Sequence, residues 1–278
     1  MIDAVMIDAA VTALFVPGDR PDRYTKAVAS GADAVIIDLE DAVAPVAKAP
    51  ARSSVLTALA PGGPVRAVVR VNTAGTPWFD DDLRALTGVA SSPGHGLLGV
   101  MVPKADDPAV LAEVVAAFGG LPVVGLVESA LGVARVREQA TVPGVARLAF
   151  GALDFALDVG ADVDAVTGQV ARAEVVIASR AAGLPAPLES PSTDLADLDR
   201  VEATSRAARR LGFGGRLCIH PRQLAPVRAG FAPTADEVAW ARRFAAAGDG
   251  AERVEDQMVD RPVLERARRI LRLAGEQA

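Results

Sequence analysis

The chain has a single cysteine, Cys218, and two histidines, His95 and His220, in 278 residues. One cysteine cannot close an intrachain disulfide, and so few nitrogen and sulfur donors leave no ligand set of the zinc type. A metal held by this chain would therefore be bound through oxygen. Basic charge is also short: 29 lysines and arginines stand against 35 aspartates and glutamates, a net charge of −6. That balance argues against non-specific nucleic-acid binding, which needs a basic field to displace counterions from phosphates. Residues 1–13 carry two aspartates and no basic stretch of the signal-peptide kind. No later apolar run approaches the ~20 residues that a membrane span requires. The expectation is a cytoplasmic protein.

What is present is aliphatic. Half of the residues are hydrophobic while aromatics make up 4%, so alanine, valine and leucine supply helix formers and strand formers in alternation. Short β-branched runs recur at 12–16, 33–38, 66–72, 99–103, 123–128, 147–151, 187–189 and 216–220. Helix-like stretches lie between them, at 21–29, 46–59, 108–118, 130–139, 165–182 and 195–211, with apolar residues spaced at three and four. Strand and helix in alternation signal a parallel sheet. Eight repeats predict one (β/α)8 TIM barrel, a fold that reaches this length as a single unit. We assign residues 1–230 to the barrel and 231–278 to an extra C-terminal helical arm, with helices at 235–246 and 263–273. The Gly/Asp/Glu-rich stretch 248–256 between those helices marks the tail as a mobile or exchanged arm.

Polar residues gather where the apolar runs end. The second run ends in Asp38-Leu39-Glu40-Asp41, the third in Arg70-Val71-Asn72, the fourth in Pro103-Lys104 and the fifth in Glu128, and Asp154 follows the sixth. In a parallel barrel these ends share one face, and that face carries the active site. Glu128 and Asp154 would emerge from neighbouring strands into one mouth, which suits Mg²⁺, a hard cation content with one or two carboxylates plus water and substrate oxygens. The competing reading is that both only cap the helices that follow, with Asp158 beside Asp154. Asp38, Glu40 and Asp41 form a second acidic cluster that repels itself unless a cation compensates, unless it is simply a solvated turn. Arg70 sits in the apolar run Val68-Val69-Arg70-Val71 and must meet an acid, either that cluster or a substrate oxygen. Arg20, Arg23 and Lys26, at a strand-to-helix turn, are candidates for a phosphate site, against the plainer reading of a solvated helix face. Lys104 could form a Schiff base as in metal-free aldolases, or pair with the acids around it. His220 reads as a hydrogen-bonded structural residue.

The motifs Leu14-Phe15-Val16-Pro17-Gly18-Asp19-Arg20-Pro21, Ile37-Asp38-Leu39-Glu40-Asp41-Ala42-Val43, Val102-Pro103-Lys104, Glu128-Ser129-Ala130, Leu153-Asp154-Phe155, Ile219-His220-Pro221 and Met258-Val259-Asp260-Arg261-Pro262 occur in that order. As a set they resemble the citrate lyase β-subunit and its malyl- and citramalyl-CoA lyase relatives, within the HpcH/HpaI aldolase/citrate lyase superfamily. The resemblance runs from about residue 12 to the C-terminus. It implies a Mg²⁺-dependent barrel (Mn²⁺ as a substitute) that assembles as a homotrimer or hexamer and takes coenzyme A as part of its substrate.

The resemblance also implies residue roles. Glu128 and Asp154 would bind the metal, and Arg70 would steady the carbonyl or enolate oxygen. Asp38, Glu40 and Asp41 would order metal-bound water and orient Arg70, while Arg20, Arg23 and Lys26 would meet the coenzyme A phosphates. Asp260, which the sequence alone makes a helix cap before Pro262, would act as the proton donor that the arm presents to a neighbouring subunit. The chain departs from the pattern at Gln257, where a glycine is expected, preceded by Glu255 and Asp256. The implied reaction is cleavage or formation of a 3-hydroxyacyl thioester such as malyl-, citramalyl- or citryl-CoA, giving acetyl-CoA and a 2-keto acid. Alternatives are a malyl-CoA-type thioesterase, and a β-subunit that works only beside an acyl-carrier partner.

Overall fold

A computed structural model describes residues 4–245, 252–254 and 257–276. Strands β1 (Thr12–Pro17), β2 (Ala34–Asp38), β3 (Ala67–Arg70), β4 (Leu97–Val102), β5 (Val123–Val127), β6 (Val145–Phe150), β7 (Leu188–Glu189) and β8 (Gly215–Cys218) pair in chain order. All neighbours are parallel, and β8 returns to β1 to close the barrel. Helix α1 (Ala4–Ala9) precedes β1. The others follow the strands: α2 (Tyr24–Val28), α3 (Lys48–Leu59), α4 (Phe79–Ala90), α5 (Pro108–Phe118), α6 (Ala130–Ala134), α7 (Val136–Ala140), α8 (Ala152–Val159), α9 (Val166–Ala181), α10 (Leu198–Leu211) and α11 (Leu224–Phe231). None of the described helices is long and apolar enough to cross a membrane.

The strand runs are continuous rather than alternating in hydrophobicity because both faces are covered. One set, including Ala13, Ile36, Val68, Met101, Val124, Ala149, Leu188 and Leu217, fills the barrel interior. The intervening residues, among them Leu14, Ile37, Val69, Val100, Leu148, Phe150 and Cys218, pack outward against the helices.

Every expected strand is present, the seventh as a two-residue segment. The stretch expected as one helix over 130–139 is two, parted at Arg135, whose φ of −106° and ψ of 9° leave the helical region. Helices α4 and α8 escape a periodicity reading for a shared reason. Each opens on aspartate, Asp80–Asp82 in α4 and Asp154 in α8, and acids in a first turn look like loop until the helix dipole they complement is in place.

Beyond α11, α12 (Ala235–Ala245) and α13 (Arg261–Leu273) pack together through their own apolar cluster of Ala241, Phe244, Leu264, Ala267, Ile270 and Leu271. Between them, β9 (Glu252–Val254) and β10 (Gln257–Val259) form an antiparallel pair. That corrects part of the expected mobile stretch, because 252–254 is a strand, while 246–251 and 255–256 lie outside the described residues.

Arg147, on β6, is buried beneath the barrel core. Its Nη1 donates to the carbonyls of Ile7 (2.7 Å) and Ala10 (2.8 Å), and its Nε to that of Ala186 (2.8 Å). Burial pushes the guanidinium down to about 10, with Asp8 acting against that shift. Removing this side chain orphans three carbonyls and leaves a cavity. Arg147→Ala is expected to lose about 3 kcal/mol or more of stability, read as a lower urea midpoint at unchanged slope.

Candidate active site

The polar residues at the strand ends do share one mouth. Asp38 ends β2, Arg70 ends β3, Lys104 follows β4, Glu128 follows β5 and Asp154 lies in the first turn of α8, after β6. A cavity of about 270 Å³ is lined by Asp38, Asp41, Arg70, Glu128, Asp154 and Phe15, with Ser190 and Ile219 contributed from beyond β7 and β8.

Arg70 and Asp38 form a two-pronged pair, Nε to Oδ1 and Nη2 to Oδ2, each at 2.7 Å. Arg70 Nη1 stands 2.9 Å from Glu40 Oε2, and the guanidinium lies over the Phe15 ring at 4.8 Å. Burial alone would lower its pKa, but the hydrogen bonds and charges of Asp38 and Glu40 outweigh that and hold the arginine firmly charged. The acidic turn is supported from beneath. The amides of Glu40 and Ala42 donate to Asp38, and Lys48 Nζ donates to the carbonyls of Leu39 and Glu40, both at 2.7 Å. Asp38 and Glu40 are buried, so the solvated-turn reading fails for them, whereas Asp41 is exposed at the rim.

Glu40 Oε1 also accepts from Thr73 Oγ1 (2.8 Å) and from Lys104 Nζ (3.0 Å). Burial would lower the Lys104 ammonium, yet Glu40 holds it above its usual value. A Schiff-base lysine needs a neutral amine, and this one is kept protonated. Lys104 is also the one described non-glycine residue with a left-handed backbone, at φ 43°. That conformation delivers its amide to Glu128 Oε1 at 2.8 Å.

Glu128 is nearly inaccessible, and among the described residues no cation lies within ion-pair distance of it. Burial and the Glu40 charge push its carboxyl up to about 8, and Asp154 adds to the rise, against the Lys104 amide and Arg70. Its Oε2 faces Gly151, where a Cβ would come within 2.6 Å. Any side chain at Gly151 would fill the space beside that oxygen. The cap reading does not account for these acids: Ser129 caps α6 through the Gly132 amide, and Gly151 stands at the N-cap of α8 without a side-chain bond. Among the described residues no three Asp, Glu, His or Cys side chains are grouped closely enough to hold a metal by themselves. A buried carboxylate without a cation, a second acid close enough to raise its pKa, and a glycine-made space beside it fit an oxygen-ligated ion that keeps most positions for water or substrate.

Other expected residues are not brought here. Arg20 pairs with Asp22 through two 3.0 Å hydrogen bonds, Arg23 and Lys26 are exposed, and none of the three lines the cavity. A 3-10 turn at Pro21–Arg23 runs directly into α2. Asp260 is exposed and caps α13, accepting from the Val263 amide at 3.3 Å. His220 is structural, its Nδ1 accepting from the Arg222 amide at 3.1 Å. Thr73, Lys48 and Phe15 were not singled out by sequence. Only Phe15 left a trace, as a lone aromatic in an aliphatic strand.

Residues 12–221 match the HpcH/HpaI aldolase/citrate lyase family. A citrate lyase subunit beta-like protein of Mycobacterium tuberculosis (strain ATCC 25618 / H37Rv) is 38% identical over 273 residues, covering 95% of each chain. An L-malyl-CoA/beta-methylmalyl-CoA lyase of Cereibacter sphaeroides (strain ATCC 17025) is 33% identical, covering 94% of this chain and 93% of its own. The crystal structure of the protein CitE from Mycobacterium tuberculosis in complex with magnesium, acetoacetate and coenzyme A superposes with a TM-score of 0.85 at 36% identity, covering 96% of this chain and 99% of that one. With the closed barrel and the acid-and-arginine mouth at its strand ends, these matches establish that the chain belongs to the HpcH/HpaI aldolase/citrate lyase family of carbon–carbon lyases.

Proposed function

We propose that this protein is a Mg²⁺-dependent lyase that cleaves, or forms, a 3-hydroxyacyl-CoA into acetyl-CoA and a 2-keto acid. The observation that carries the reading is the opposition, across one small cavity, of a charged, largely enclosed arginine to a buried carboxylate with no cation within ion-pair distance among the described residues. Glu128 and Asp154 would hold the ion. Mg²⁺ held there would offset their charge and acidify a substrate hydroxyl.

The remaining steps fall to the chain itself. A guanidinium offers five N–H groups. Asp38 takes one from Nε and one from Nη2, and Glu40 lies against Nη1, which leaves one N–H on Nη1 and one on Nη2 for an oxygen in the cavity. As the carbon–carbon bond breaks, the hydroxyl gives its proton to water in the mouth and becomes the keto-acid carbonyl. The bond's electron pair passes into the thioester, and negative charge collects on the oxygen that Arg70 faces. The enolate carbon then takes a proton from a carboxylic acid. We assign that proton to Asp260 of a neighbouring copy, since the residue is exposed at the start of α13 in its own chain. Thr73 and the Lys104 ammonium keep Glu40 fixed. The arm, α12 to α13, is the element that would carry Asp260 across, in a homotrimer or hexamer.

The deciding measurement is keto-acid release from malyl-CoA, citramalyl-CoA and citryl-CoA, each with Mg²⁺ or with excess EDTA. Mg²⁺-dependent glyoxylate, pyruvate or oxaloacetate alongside acetyl-CoA is expected, and the product names the substrate. Free CoA without keto acid would show a thioesterase instead, and activity only with an acyl-carrier partner would show a citrate lyase subunit.

Arg70→Lys should lower kcat/KM by about 10²–10³, because a lysine cannot grip both Asp38 oxygens and still donate to a developing enolate. A folded variant with unchanged kcat/KM would remove Arg70 from the reaction.

The Glu128 carboxyl makes metal binding pH-dependent. Its pKa rises from 4.5 to about 8 on folding, so between those values the folded state holds the extra proton. The contribution to stability is then full below the lower value and lost as pH climbs through the higher. Without Mg²⁺ this group should make Tm fall as pH rises from 6 to 9, and apparent Mg²⁺ affinity should weaken about tenfold per pH unit below 8. Thermal melts with and without Mg²⁺ should show a larger gain at high pH, and Glu128→Gln should flatten both trends.

A further inference from the structure

A cavity of about 620 Å³ lies outside the barrel, between α9, α10 and the β7–β8 edge. It meets the barrel mouth along Leu153, Ser190 and Pro191, which line both spaces. Its wall includes two arginines at strand and helix positions that face away from the barrel interior, Arg172 on α9 and Arg216 on β8.

Arg172 is provided for. Its Nε donates to Glu189 Oε2 at 2.9 Å, and its guanidinium lies over the Phe150 ring at 5.2 Å. Glu189 is used up in doing so, since Oε1 accepts from the Ser190 amide at 2.7 Å. Arg216 is not provided for. It is 6% exposed, its single hydrogen bond runs from Nη1 to Thr204 Oγ1 at 2.8 Å, and its Nε has no partner. Among the described residues no carboxylate lies within ion-pair distance of it; the Glu189 charge supports it from farther off while already committed to Arg172, whose like charge opposes it. The Nη1 of Arg172 is buried without a partner as well. The other acids on the wall do not answer the deficit: Asp194 accepts from the amides of Ala196 and Asp197, and Asp164 is exposed at the rim.

A buried, unpaired guanidinium is expensive. Evolution removes such groups or satisfies them, as Arg147 is satisfied by three carbonyls, and here the open space beside Arg216 is large enough for a small metabolite. We propose that this cavity is a second anion-binding site, separate from the reaction centre, in which Arg216, oriented by Thr204 and with Arg200 at the rim, holds a carboxylate or phosphate group of a small metabolite. The site rests on Arg216 alone of the groups in the cavity wall being charged, buried and unmatched, and it does not depend on which reaction the barrel mouth performs.

The test is thermal melting of the full chain in Mg²⁺-free buffer, titrated with inorganic phosphate or with pyruvate against chloride at matched ionic strength. A saturable rise of a few degrees with either anion is expected, and the anion that acts identifies the group. Arg216→Met should melt no lower than the wild type without anion, because an unpaired buried charge is exchanged for an apolar chain of similar length. It should also lose the rise. Arg200→Gln and Thr204→Val should each weaken the response severalfold. No saturable rise with either anion in the wild type, or an equal rise in Arg216→Met, overturns the site. If Arg216→Met fails to fold, an unchanged response in both Arg200→Gln and Thr204→Val does the same.

Discussion

The grip of Arg70 on Asp38 is the contact on which the rest of the mouth depends. Three carboxylates fall within four positions of the β2 end, and two of them are buried. Such crowding is tolerable only if each oxygen is answered. Asp38 receives the two prongs of Arg70 and two backbone amides, and Glu40 receives Thr73 and Lys104 with Arg70 alongside. The cations of the site are thereby committed to one side of it. Glu128, opposite, is left with a single amide, and its high pKa follows first from burial and then from the Glu40 charge, which that amide and the more distant Arg70 do not offset. One half of the mouth is neutralised internally, and the other half is short of positive charge.

Sequence reading reaches the strands and their polar ends because both follow from local rules. A β-branched run of the right length in alternation with helices gives a parallel strand, and closure of the barrel places every strand end on one face. That is why Asp38, Arg70, Glu128 and Asp154 were visible, and why an arginine inside an apolar run could be expected to find an acid. The details that set the chemistry are of another kind. The left-handed turn at Lys104 is occupied by lysine, not by the glycine that would have announced it. Gly151 matters through its approach to Glu128, twenty-three positions away, and no spacing rule reports a contact of that sort.

Asp260 shows where a local rule and a family resemblance point in different directions. An aspartate two residues before a proline at a helix start is a capping residue, and within one chain it is one. Capping uses one carboxylate oxygen and leaves the side chain exposed, so the two roles do not compete for the same atoms. The role that the resemblance implies would need a contact between copies, and contacts between copies are not written in the periodicity of one chain.

Three arginines stand within the barrel strands, and their fates differ by position rather than by neighbouring sequence. Each sits among apolar residues, in Val69-Arg70-Val71, Ala146-Arg147-Leu148 and Gly215-Arg216-Leu217. Arg70 is the last residue of its strand, where the acidic turn of the adjacent strand rises beside it, and it finds carboxylates. Arg147 sits lower in its strand, where the interior runs out and chain ends supply carbonyls, and it is satisfied without any acid. The rule that a buried arginine must meet an acid therefore fails for it, because carbonyl dipoles serve a delocalised cation well enough. Arg216 points outward, away from both solutions, and meets one hydroxyl. Depth along a strand and the side of the sheet decide whether such a charge meets carboxylates, backbone carbonyls or a single hydroxyl.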